Sequence, residues 1–148
     1  MMSTTVESNA AGVLAATTHR LFNSLEGMSD AVARRMGLSL SEMYCLHALH
    51  GDAELAVKEI ARKMQLSNSR LTRILDGLHV KKLVTREFDP SDRRVVRIAC
   101  TEKGKNISRR IHTEYLALYE DILRRLQAGV RRTVVTAFEE LARVMLVQ

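Results

Sequence analysis

The stretch Leu83–Gly104, LVTREFDPSDRRVVRIACTEKG, decides the fold. Val84, Arg86 and Phe88 alternate with Thr85 and Glu87, and Val96, Ile98 and Cys100 alternate with Val95, Arg97 and Ala99. That period-two pattern predicts two short strands. Between them Asp89-Pro90-Ser91-Asp92 reads as a turn, with Asp89-Pro90 suited to the first two positions of type I. The basic pair Arg93-Arg94 follows it.

Just upstream, Leu71, Ile74, Leu75 and Leu78 share one face of a helix over about 67–81, with Ser67 as its N-cap. The opposite face carries Asn68, Ser69, Thr72 and Arg73, with Arg70 close by. Small and hydrogen-bonding residues near a helix N-terminus suit contact with base edges and phosphates. Gln65–Ser67 forms a turn, and residues 56–64 a short helix with Val57, Ile60, Ala61 and Met64 on one face. Two helices across a turn, followed by a basic-tipped hairpin, predict a winged helix-turn-helix. In that layout the helix enters the major groove and the hairpin reaches the neighbouring minor groove. The implied partner is double-stranded DNA.

Charge distribution agrees. The chain has 148 residues and a net charge of +6, but residues 56–110 hold 15 Lys/Arg against 6 Asp/Glu. The middle therefore carries +9 and the flanks together −3, the footprint of a polyanion site.

The flanks read as long helices. In residues 12–36, Leu14, Leu21, Leu25, Met28 and Val32, with Thr18 filling one step of the series, recur at alternating spacings of 4 and 3, and Phe22 and Met36 widen the stripe. Ser39 and Glu42 form a capping-box signature for a helix through about His50, ended by Gly51-Asp52. Thr101 can cap a helix over 102–127, with Ile107, Ile111, Tyr115, Leu118, Ile122 and Leu126 in one stripe. Gly129 separates it from a last helix containing Val134, Val135, Phe138, Leu141, Ala142 and Met145. These faces exceed what one chain can cover, which predicts a homodimer. The expected fold class is mainly α with a small β-hairpin wing. Its winged helix-turn-helix core spans 37–101 (recognition helix about 67–81, wing about 83–100), flanked by dimerisation arms at 1–36 and 102–148.

Other classes fare worse. No apolar run nears the roughly 20 residues of a membrane span, and the N-terminus, with no basic residue before His19, does not read as a signal peptide. Cys45 and Cys100 form neither a metal-ligand spacing nor a disulfide framework. They read as small buried hydrophobes, and a reducing, cytoplasmic setting is expected. His47 and His50 lack the further ligands of a metal site. There is no G-x-S-x-G, glycine-rich phosphate loop or H-E-x-x-H, so no catalytic residues, metal or cofactor are expected. An architectural or anti-silencing DNA binder without effector, or a helical scaffold for protein partners, remain as alternatives.

From Leu66 to Gly104 the chain resembles the MarR (multiple antibiotic resistance regulator) family of transcription factors. The carrying pieces are LSNSRLTRILDGL, the LV-x-R of Leu83, Val84 and Arg86, the D-x-R of Asp92 and Arg94, and TEKG at 101–104. The resemblance implies that Arg94 enters the minor groove with Asp92 orienting its guanidinium. It assigns Arg93 and Arg97 to phosphates or to the wing's own packing, and Ser67, Asn68, Ser69, Arg70, Thr72 and Arg73 to the major-groove face. It further implies a repressor released from a pseudo-palindromic operator by a small phenolic or other aromatic ligand, with His19, Met43, His47, Tyr115 and Tyr119 as candidate pocket residues. Three residues depart from the pattern: Lys82 stands where Gly is usual, Gly77 where Arg is frequent, and Cys100 where Leu is usual.

Overall fold

The computed structural model describes residues 2–50 and 54–146. Its elements in chain order are α1 (Met2–Arg35), α2 (Leu40–Ala48), β1 (Leu55–Ala56), α3 (Val57–Met64), α4 (Asn68–Val80), β2 (Val84–Phe88), β3 (Val96–Cys100), α5 (Glu102–Arg125) and α6 (Ala128–Leu146). The three strands form a small antiparallel sheet of order β1-β3-β2. The chain is a mainly α winged helix-turn-helix. It divides into two compact units, Met1–Ile111 and His112–Gln148.

The core of the first unit lies where α2, α3 and α4 meet the sheet. Met43, Leu46, Ile60, Leu71, Leu75, Leu78, Val84 and Ile98 are all at most 1% exposed. Val32 and Ala33 from α1 and Ile111 from α5 are also buried, so these helices join the core at its edges. Ile74, expected in the buried face of α4, is only half-buried.

Local chemistry explains most boundaries. Ser39 Oγ accepts from the Glu42 amide at 3.2 Å while Glu42 accepts from the Ser39 amide at 2.7 Å, the reciprocal box expected there. Thr101 caps α5 through the Gly104 amide at 3.0 Å. α1 starts well before residue 12. Residues 2–11 lack the apolar stripe that periodicity detects, yet they contain no proline to stop a helix. α2 ends at Ala48, and the expected stop at Gly51-Asp52 lies outside the described residues.

Two expectations need correction. Gly129 does not separate the last two helices: α5 ends at Arg125, α6 starts at Ala128, and the break falls at residues 126–127. Arg131 reaches back to the carbonyls of Leu126 (3.2 Å) and Arg124 (3.3 Å), satisfying acceptors that a helix end leaves open. Gly129 sits in the first turn of α6, where its lack of a side chain matters little. The sheet also has a third strand. Leu55 pairs with Ile98 and Ala56 with Arg97, a strand of two residues too short to show any alternation in sequence.

The second unit has a different character. Among its described residues no side chain is buried, and Leu116, Tyr119, Val130, Val135, Phe138, Val144 and Met145 are all more than 40% exposed. No described helix is long and apolar enough to cross a membrane.

Candidate nucleic-acid interface

The two helices of the reading motif meet through a tight turn. Glu59 accepts from the Ala56 amide at 2.7 Å, half a capping box, since alanine has no hydroxyl to complete it. α3 ends at Met64, Gln65 after it is held left-handed at φ 53°, and the Leu66 amide bonds to the Ala61 carbonyl at 3.0 Å. Ser67 then caps α4 by accepting from the Arg70 amide. The burial of Leu71, Leu75 and Leu78 turns the other face outward, leaving Asn68, Ser69, Arg70, Thr72 and Arg73 exposed together. Ser67 Oγ lies 3.2 Å from Ser69 Oγ, and Thr72 donates to the Asn68 carbonyl at 2.8 Å. The guanidinium groups of Arg70 and Arg73 have no ion-pair partner among the described residues.

The far end of α4 is held by a polar junction. Glu42, 7% exposed, accepts from Lys81 Nζ at 2.6 Å, and Lys81 also donates to the Gly37 carbonyl at 2.9 Å. Burial pushes the Glu42 carboxyl up, but the Lys81 bond and the Ser39 amide outweigh it, so the group titrates below its ordinary value. A Cβ at position 77 would overlap Glu42 Oε1. Gly77, which looks like a lost arginine in sequence, is the space that admits the buried Glu42 carboxylate.

Lys82 takes the left-handed position that glycine usually fills, at φ 59°. The Leu83 amide bonds to the Leu78 carbonyl at 2.9 Å, which completes a Schellman end. Thr101 Oγ1 donates to the Lys82 carbonyl at 2.8 Å. Gly104 packs on the Leu83 carbonyl so closely that a Cβ there would overlap backbone.

The wing is built from β2 and β3, paired with Val84 opposite Cys100, Arg86 opposite Ile98 and Phe88 opposite Val96. Arg86 donates to Asp76 of α4 at 2.6 Å, tying wing to helix. The hydrogen-bonded turn sits further along than expected: the Val95 amide bonds to the Asp92 carbonyl at 2.9 Å, so Asp92–Val95 closes the tip. Asp89 instead organises the approach. One oxygen accepts from the Ser91 amide (2.8 Å), the Ser91 hydroxyl (2.5 Å) and the Asp92 amide (3.3 Å); the other accepts from Arg97 Nε at 2.5 Å. The Ser91 hydroxyl, then Arg97, hold this carboxyl well below the usual carboxylate range.

At the tip, Asp92 Oδ1 accepts from the Arg94 amide (3.0 Å) and from Arg94 Nε (3.2 Å), the orientation expected of the D-x-R pair. The Arg94 side chain is 93% exposed. Arg93 is exposed without a described ion-pair partner. Of the two roles expected for Arg97, the geometry has it packing the wing, between Asp89 and Glu54. Sequence reading missed Asp89 and Glu54 in this role. An aspartate two residues before a serine amide is an Asx-turn signal that could have found the first.

The five candidate pocket residues are not brought together within either unit. Met43 is a core side chain, 1% exposed, because its face of α2 meets the other helices. His19 lies exposed on α1 beside Asn23, and His47 lies exposed on α2, lining an open hollow of about 560 Å³ with Tyr44, His50 and Lys63. Tyr115 and Tyr119 belong to the second unit, half-buried and 46% exposed. Burial pushes the Cys45 thiol up to about 12 and raises that of Cys100 as well, the opposite of an activated thiolate. No cluster of three or more His, Cys, Asp or Glu suited to a metal occurs among the described residues.

A family model described as MarR family matches residues 36–95. The HTH-type transcriptional regulator MhqR of Bacillus subtilis (strain 168) is 26% identical over 104 residues, covering 70% of this chain and 72% of MhqR. YsmB, an uncharacterised HTH-type transcriptional regulator of the same strain, is 32% identical over 102 residues, covering 59% of this chain and 70% of YsmB. Among solved structures, Streptococcus pneumoniae FabT in complex with DNA matches with a TM-score of 0.80 at 18% identity, over 91% of this chain and 96% of that one. A likeness at that identity speaks for the fold; the sequence matches speak for kinship. The chain belongs to the MarR family of DNA-binding, HTH-type transcriptional regulators.

Proposed function

We propose that the chain acts as a homodimeric repressor on a pseudo-palindromic operator, and that a small phenolic or other aromatic ligand releases it. The observation that carries the DNA contacts is the pairing of two exposed cationic elements in one unit: the outer face of α4 and the Asp92–Arg94 wing tip. Ser67, Asn68, Ser69, Arg70, Thr72 and Arg73 would serve the major groove, and Arg94 the minor groove, where a narrow groove deepens the negative potential. Arg93 would serve a phosphate. The structure of FabT in complex with DNA supports a duplex partner for this fold.

A second copy is supported by the uncovered apolar residues. The described second unit buries no side chain, and α1 leaves Val13, Leu14 and Phe22 more than half exposed. Covering such faces removes apolar area from water at about 25 cal/mol per Å². Two copies would place two recognition helices on half-sites about one helical turn apart. The ligand rests on the family resemblance alone.

Binding of the full chain to a duplex selected from a random-sequence pool tests the reading. Arg94→Ala is expected to weaken binding to that duplex by about tenfold or more, on the scale of 1–3 kcal/mol for one groove contact. Unchanged affinity would remove Arg94 from the interface. A selected site without two-fold symmetry would remove the dimer from the DNA complex. Addition of 4-hydroxybenzoate or salicylate to the bound complex tests ligand release, which no change in affinity would contradict for those probes.

A further inference from the structure

We infer that the Asp89–Arg97 ion pair is a positioning device for Arg94, fixing the wing tip in its DNA-reading shape before DNA arrives. This inference rests on the DNA-binding role proposed for Arg94 above.

The tip has little else to hold it. From Thr85 to Arg97 the one buried side chain is Asp89; Phe88 is 69% exposed, and Val95 and Val96 are only half-buried. Apolar packing therefore does not define the segment from 89 to 95. A continuous polar chain does. Glu54, just before β1, lies 3.6 Å from Arg97; Arg97 donates to Asp89 at 2.5 Å; Asp89 accepts from the Asp92 amide; and Asp92 holds Arg94 by its amide and its Nε. The chain starts on the sheet edge that leads into α3 and ends on an arginine whose side chain is 93% exposed. An exposed arginine has many rotamers to lose on binding. Anchoring its partner Asp92 beforehand lowers the number lost at the moment of contact, which is how preorganisation raises affinity. Arg97 is two-thirds covered and held by two carboxylates, so it acts through Asp89 and is distinct from its exposed neighbour Arg93.

The two explanations of this pair predict opposite signs. Asp89→Asn deletes a negative charge close to the expected DNA and frees Arg97 from its closer carboxylate. Electrostatics alone then predicts equal or tighter binding to any duplex. A positioning role predicts weaker binding, confined to the selected site.

The experiment measures equilibrium binding of the full chain to a duplex selected by the wild-type protein from a random pool, and to a scrambled duplex of equal length. Asp89→Asn, Arg97→Lys, Arg94→Ala and the double variant Asp89→Asn/Arg94→Ala are compared, with thermal midpoints recorded alongside. Expected is a roughly five- to tenfold loss for Asp89→Asn and Arg97→Lys on the selected duplex and none on the scrambled one. In the Arg94→Ala background the further effect of Asp89→Asn should vanish, the signature of two residues acting through one contact. Binding by Asp89→Asn at or above the wild-type level, or a loss that adds in full to that of Arg94→Ala, overturns the inference. If Arg94→Ala alone binds like wild type, the reading of the wing fails and takes the inference with it. Should Asp89→Asn not fold, Ser91→Ala removes only the hydroxyl bond to Asp89. A loss of about twofold that disappears in the Arg94→Ala background supports the device, and no loss overturns it.

Discussion

The recognition helix and the wing present their arginines by opposite means. α4 seats Arg70 and Arg73 by burying Leu71, Leu75 and Leu78 behind them, each at most 1% exposed. The wing seats Arg94 with carboxylates, and from Thr85 to Arg97 its one buried side chain is itself an aspartate. Apolar burial is non-directional and is not subject to charge screening; ion pairs are directional and weaken with screening and acid. The helix therefore has a fixed position and the wing a conditional one. Even the helix uses charge at its far end, where Glu42 and Lys81 meet in the space left by Gly77.

The largest effect should come from the apolar side of this comparison. Leu75→Ala is expected to lower stability by about 2–5 kcal/mol through lost burial and a cavity, read from the denaturant midpoint. A loss under 1 kcal/mol would mean that burial does not hold the helix. Lys82→Gly should move the other way, raising stability by about 1 kcal/mol, because glycine takes φ 59° without strain. A decrease would show that the Lys82 side chain does something its geometry does not reveal.

Gly77→Ala sharpens the picture through its sign. Alanine favours a helix over glycine by about 0.5–1 kcal/mol, but here its Cβ displaces the Glu42 carboxylate. It should destabilise the wild-type chain and stabilise a Glu42→Ala chain, a reversal visible in paired thermal melts. The smallest effect concerns pH. Glu42 and Asp89 both have folded-state pKa values below their ordinary ones. The stability they contribute is thus fully present above about pH 4.5 and is lost as pH falls through the depressed folded values. Glu42→Gln should flatten the acid limb of the stability curve and leave its shape unchanged between pH 6 and 8.

Sequence was a good guide wherever a pattern had several residues to express itself. The alternation of β2 and β3, the leucine face of α4 and the Ser39–Glu42 box all stand where they were read. β1 escaped because two residues cannot show a period, and its pairing with β3 is a tertiary event. Gly77 misled because its reason lies 35 residues away, on Glu42. The Asp89 tie escaped for a related cause: composition marks Arg97 as a cation but says nothing about which carboxylates reach it. The break between α5 and α6 was drawn to the glycine, whereas the observed interruption is secured by an arginine, Arg131, bonding backward. On the candidate DNA face the outward placement of the polar α4 residues was legible, and the tie of Arg97 back to Asp89 was not.

Gly104 has a consequence for anyone altering this protein. Its missing side chain lets the start of α5 rest directly on the Leu83 carbonyl, so the joint leaving α4 and the joint leaving β3 touch through bare backbone. In a saturation library, position 104 should appear as a column of nearly uniform failure between two permissive columns at the exposed Lys103 and Lys105. Peptide tags and fused domains placed in the few residues flanking either joint should fail in the same way.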